Sequence, residues 1–246
     1  MASKSGRQIT GNMLAQQIDF ISKLFSNDHL RKKYLAFVVD NLKVWMKCEC
    51  VGIRVLEEGG SIPYDAFVGF SYDFWQEENL LSTSQRQCIC PRLAAGCPDD
   101  SDRAALTPNG SLWTNDLAGF FRDLSPEKSV RYRCKCLEYG FASVAVIPVR
   151  FQERVVGLIH LADPHKDRFS QQQITLLEAA SEAIGEIIVR YHAEETQPDQ
   201  DRALREKIAE LKACASGISA TCPRGQRDSL ATLQQKIEAL EVQLFH

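Results

Sequence analysis

Six of the nine cysteines fall in three Cys-x-Cys pairs: Cys48/Cys50, Cys88/Cys90 and Cys134/Cys136, with Cys97 just behind the second pair. Thiolates are soft ligands and redox-active nucleophiles, so this clustering points to metal or redox chemistry. The opening run MASKSGRQITGN is polar and basic and leads into no apolar core of the secretory type. A reducing, cytoplasmic setting is therefore expected, in which clustered cysteines read as ligands or reactive thiols rather than disulfides. Geometry limits each pair. Residues i and i+2 share a face in a strand but diverge by about 200° in a helix, so one member can be inert.

His160 sits between Ile159 and Leu161 in an alternating apolar run, which turns its imidazole away from theirs. Haem ligation and a hydrogen-bonded, half-buried histidine are both open at this position. Trp75 and Trp113, with Phe67, Phe70, Tyr72 and Phe74, are candidates for lining a pocket or for building a core. Thr107-Pro108-Asn109-Gly110 reads as a turn, because a phosphate-binding loop would need a lysine and a second glycine. Arg131 and Arg133 read as a solvated helix face. No GxSxG elbow or HExxH zinc helix occurs, and no enzymatic activity is expected.

The elements that must position these residues follow from periodicity. Helical spacing covers residues 10–25 and then Leu30, Tyr34, Phe37, Val38 and Leu42, with Asn27 or Asp28 as cap. Period two takes over at Val51, Ile53 and Val55. The Glu57-Glu58-Gly59-Gly60 turn and a strand over 62–70 complete a hairpin. A loop-rich stretch over 71–124 carries Cys88 and Cys90, and connections this long are functional or braced by something bound. Helices over 115–124 and 127–139 precede strands over 143–151 and 155–163, joined at Glu153-Arg154, and a helix from Ser170 to about His192. A Pro-containing break is expected over 194–201 and a loop over 214–225. Leu230, Leu233, Ile237, Leu240 and Leu244 then step as a coiled-coil seam, which predicts a homodimer or a helical hairpin.

A formal charge of −3 and a pI near 6.0 argue against direct nucleic-acid binding, and no apolar run is long enough to span a membrane.

In order along the chain, CVGIRVLEEGGSIPYDAFVGFSYDFW, QCICPRL, TPNGSLWTND, RCKCLEYGFASVAVIPVR and VVGLIHLAD resemble the GAF domains of bacterial and archaeal sensor histidine kinases. The resemblance implies an α+β fold, in which an antiparallel sheet carries helices on one face and a loop-covered ligand cavity on the other. With the periodicities above, this divides the chain into N-terminal amphipathic helices over 1–47 that pack on the sensor domain, a sensor domain over 48–193 and a helical, coiled-coil interaction tail over 194–246. Among the cysteines it selects Cys50, Cys88, Cys90 and Cys136 as metal ligands. The expected function is a sensor of redox state or a diatomic gas, built around a cysteine-ligated iron–sulfur cluster. It would signal to a partner such as a histidine kinase or a transcription regulator. Zinc and haem are the alternative cofactors. A small organic ligand beside structural cysteines, or a non-sensing interaction scaffold, are the alternative functions.

Overall fold

The computed structural model describes residues 31–221 together with Gln235 and Glu238. The helix expected over 10–25, its following cap, the leucine seam and Cys222 lie outside the described residues. By contact the chain divides into two units, Met1–Tyr191 and His192–His246.

In the first unit, helix α1 (Arg31–Met46) buries Tyr34, Leu35, Val38, Val39, Leu42 and Met46 along one stripe. Strands β1 (Cys50–Val55) and β2 (Tyr64–Val68) form the expected hairpin. After short helices α2 (Tyr72–Glu78) and α3 (Ile89–Ala94) and a single 3₁₀ turn comes β3 (Leu112–Thr114). Helices α4 (Leu117–Arg122), α5 (Pro126–Ser129) and α6 (Lys135–Glu138) lead to β4 (Ser143–Phe151) and β5 (Arg154–Asp163). Helix α7 (Gln171–Thr221) follows. The five strands make one antiparallel sheet in the order β2-β1-β5-β4-β3.

Alternation divides the sheet into two buried faces. Val51, Ile53 and Val55 of β1, Ala145, Ile147 and Val149 of β4, and Ile159 and Leu161 of β5 pack with α1 and the first turns of α7. Gly185 lets α7 lie directly on β4, because a side chain there would begin 2.0 Å from the Arg150 carbonyl oxygen. The opposite face, carrying Cys50, Val144, Val146, Leu158 and Ala162, is covered by α2, α3 and the short helices of the long connection. Both faces are covered, so β1 is buried at every position.

Several elements differ from the sequence expectation. The helix expected over 127–139 is two helices. Cys134 takes a left-handed backbone (φ 57°), and the Arg131 carbonyl turns out of the helical ladder to accept from Arg92. The short strand β3 was not anticipated. Its three residues are too few to show a period. The β4–β5 turn falls one residue earlier, at Gln152 and Glu153, both with positive φ. Residues 194–201 are helical rather than a break, and so are 214–221. One proline removes a single ladder hydrogen bond, whereas the flanking Ala, Glu, Leu, Lys and Arg are strong helix formers.

The long connection is braced by a buried ion pair. Arg92 donates to both oxygens of Asp102 at 2.9 and 2.6 Å, and the Tyr132 hydroxyl donates to Asp102 at 2.5 Å. Arg92 also donates to the carbonyls of Arg86 and Arg131 and lies 4.6 Å over the Tyr132 ring. Three separate pieces of the stretch are thereby tied to one guanidinium.

Candidate functional site

On the pocket face, His160 of β5 is buried to 1% exposure. It points to the side opposite Ile159 and Leu161, as alternation requires. Its Nδ1 lies 2.7 Å from the Tyr64 hydroxyl and its Nε2 lies 3.8 Å from Cys136 Sγ. A neutral imidazole has one donor and one acceptor nitrogen, so the hydroxyl and the thiol take opposite roles. Burial, and secondarily the Arg54 charge, push the His160 pKa down to about 3. The ring is therefore neutral at pH 7. Tyr64 fits against it only because β1 has a glycine at position 52, where a Cβ would stand 2.5 Å from the tyrosine ring.

Of the four selected cysteines, Cys136 touches this imidazole, and Cys88 and Cys90 act electrostatically on Cys136. Cys88 stands at the start of α3, Cys90 lies in its first turn, and Cys136 comes from α6. Burial pushes all three thiols up, and the Cys88 and Cys90 sulfurs raise Cys136 further. Cys90 is pushed up to about 12. These groups are thiols, not thiolates. Cys50 shares the face and packs in the same cluster, but the charges acting on it are those of Glu49, Lys43 and Asp163. Among the described residues, no three His, Cys, Asp or Glu side chains are gathered closely enough to hold a metal ion.

The remaining cysteines separate. Cys48 packs on the helix-covered face, where its thiol donates to the Cys50 carbonyl at 3.5 Å, and burial likewise pushes it up to about 12. Cys134 is half-buried against the pocket cluster, and Cys97 is exposed. Of the two tryptophans expected to line the pocket, Trp75 packs on the pocket side, where it stacks on Phe67. Trp113 packs on the helix-covered side, because alternation along β3 gives the pocket face to Leu112. Arg133 is not a solvated residue. It pairs with the buried Glu78 at 3.2 Å, while Arg131 pairs with Asp99 nearer the surface. Asp163 ties the end of β5 to its surroundings, accepting from the Glu49 and His165 backbone amides and pairing with Arg168 at 3.0 Å.

The residue that sequence reasoning passed over is Arg54. It projects from β1 onto the pocket face with no exposed surface. Its Nη1 donates to the carbonyls of Ile62 and Glu78 at 2.7 and 2.9 Å, and its guanidinium carbon lies 3.6 Å over the Tyr64 ring. An arginine inside the apolar word CVGIRV was the available signal.

The GAF domain family model matches residues 39–188. No curated protein matches the chain in sequence. Among solved structures, the GAF domain of a phosphoenolpyruvate-protein phosphotransferase from Acinetobacter superposes with a TM-score of 0.55 at 14% identity, covering 75% of this chain and 97% of that one. The corresponding domain from Coxiella burnetii gives 0.54 at 13% identity, with 75% and 97% covered. The free methionine-R-sulfoxide reductase of Neisseria meningitidis, solved with its substrate, gives 0.52 at 14% identity, with 74% and 89% covered. These likenesses are of fold. With an antiparallel five-stranded sheet, helices on one face and a closed polar group beneath the loops of the other, the chain belongs to the GAF domain family.

Proposed function

We propose that the chain is a sensory and signal-transduction domain in which Cys88, Cys90, Cys136 and His160 receive a redox or gas signal. The observation that carries this reading is the contact between Cys136 and His160 at 3.8 Å, with two further thiols acting on the same sulfur. Neutral soft donors held away from water can take up a thiophilic metal, releasing protons as they bind, or can be oxidised. An iron–sulfur cluster would supply reversible electron transfer, and zinc would brace α3 against α6. The donor types suit both. Their placement in this conformation suits neither, because among the described residues no three ligands converge. Metal loading is therefore an arm of the test, not a step of the mechanism.

Direct oxidation needs no convergence of four ligands, but it needs a local opening that exposes and deprotonates one of these thiols, because peroxide reacts with the thiolate. Two thiols joining as a disulfide give two electrons and two protons to hydrogen peroxide, which leaves as two waters. Such a change would pull α3 or α6 against the sheet beside His160. From His160, β5 runs three residues to Asp163, whose bonds to Arg168 and His165 hold the chain that enters α7. A shift there would alter how α7 presents itself to a second copy or to a partner such as a histidine kinase or transcription regulator.

The experiment is anaerobic purification of the full chain, followed by absorbance, metal and acid-labile sulfide analysis, and oligomeric state before and after peroxide. Bound metal lost in Cys90→Ser and Cys136→Ser, or a peroxide-dependent change in assembly lost in the same variants, is the expected result. No metal, no sulfide and identical behaviour of both redox forms would refute the reading.

A further inference from the structure

We propose that the pocket face is a recognition site for a small organic carboxylate, with the Arg54 guanidinium as its receptor. The proposal rests on the sensory reading of the fold but not on the thiol chemistry. Arg54 spends Nη1 on two backbone carbonyls, while Nε and Nη2 have no hydrogen-bond partner although both are buried. A guanidinium stays charged in any protein environment. Its Nε/Nη2 edge presents two parallel N–H bonds at the spacing of carboxylate oxygens.

No internal carboxylate hydrogen-bonds these two nitrogens, although the buried Glu78 charge acts on the guanidinium from nearby. The Glu78 carboxylate is engaged by Arg133 at 3.2 Å and offers Arg54 only its backbone carbonyl. Tyr64 lies with its ring under the guanidinium and its oxygen near enough to act on it, but the 2.7 Å contact of that hydroxyl is with His160. Cys90, the thiol whose charge would act most directly on Arg54, is held protonated by burial. From the α2 side a second donor, Trp75 Nε1, is also buried without a partner. Unpaired donors thus come from both β1 and α2. One guanidinium suits a monoanion better than a phosphate dianion, and the neighbouring Phe70, Phe74 and Phe141 suit an apolar body. The unpaired atoms are sealed from solvent, so this is the closed form, and α2 must lift to admit a ligand.

The test uses the reduced, metal-free full chain with benzoate as probe and benzamide as its uncharged counterpart. Benzoate at millimolar concentration should raise Tm saturably, and benzamide should not. Arg54→Lys keeps the charge without the fork and should weaken benzoate about tenfold. Arg54→Gln should abolish the shift. If Arg54→Gln does not fold, the benzoate–benzamide difference and Arg54→Lys decide. The proposal is overturned by no saturable effect of benzoate, by equal shifts with benzamide, by undiminished binding in folded Arg54→Lys, or by a preference for inorganic phosphate. Benzoate binding to a protein that is metal-free and peroxide-insensitive would refute only the thiol reading. A bound cluster or a peroxide response without benzoate binding would refute only this one.

Discussion

Burial decides the chemical state of each candidate side chain. Cys97 is exposed, while Cys48, Cys50, Cys88 and Cys90 are buried and pushed up in pKa. Thiol alkylation of the native, metal-free protein followed by mass spectrometry should mark Cys97 first among these five. The other four should react only after denaturant is added. Early modification of Cys88 or Cys90 would contradict the burial described. His160 carries a linkage of opposite sign to an ordinary surface histidine. Its folded pKa, about 3, lies below the unfolded value of 6.5, so the unfolded chain binds the extra proton. The stability it contributes is present above pH 6.5 and is lost as pH falls toward 3, by up to about tenfold in the folding equilibrium per pH unit. Urea midpoints measured from pH 7 to pH 4.5 should fall less steeply in His160→Gln than in the wild type.

Among the elements, the long connection between β2 and β4 is held by side-chain charge more than by regular structure. Its helices are short, and Arg92, Asp102 and Tyr132 tie α3, the 3₁₀ turn and the segment before α6 together. Asp102→Ala leaves the Arg92 guanidinium buried and unpaired, and should cost about 3–5 kcal/mol in chemical denaturation. Tyr132→Phe loses one hydrogen bond to a charged group and should cost about 1.5–3 kcal/mol. Equal effects of the two substitutions would mean that the ion pair does not bear most of the load. This network is itself a brace for the long connection.

Across the first unit, the sheet is sandwiched between two apolar clusters, so its central strands are the most protected part. Hydrogen exchange should be slowest in β1, β4 and β5 and fastest in α5 and α6, which carry no fully buried residue. Faster exchange in β5 than in α6 would contradict that ordering. No helix among the described residues is long and apolar enough to cross a membrane. Much of this architecture was legible in the sequence. Helical and two-residue periodicities marked α1, the β1–β2 hairpin, β4, β5 and the start of α7, because each element buries one side and periodicity records which. Alternation also placed His160 on the pocket face. Contacts between residues far apart in the chain left no such record. Nothing local in QCICPRL or RCKCLEYG shows that Cys88 and Cys90 act on Cys136, or that Arg54 buries two nitrogens without a hydrogen-bond partner. In the sequence Trp113 is open between pocket and core, because three residues cannot establish the period that turns it to the helix-covered side. The sequence by itself determined the layers and the family, since burial of one face must be written into every element. Which thiols meet, and which charge lacks its partner, only the tertiary structure decided, because those depend on distances that close between segments tens of residues apart.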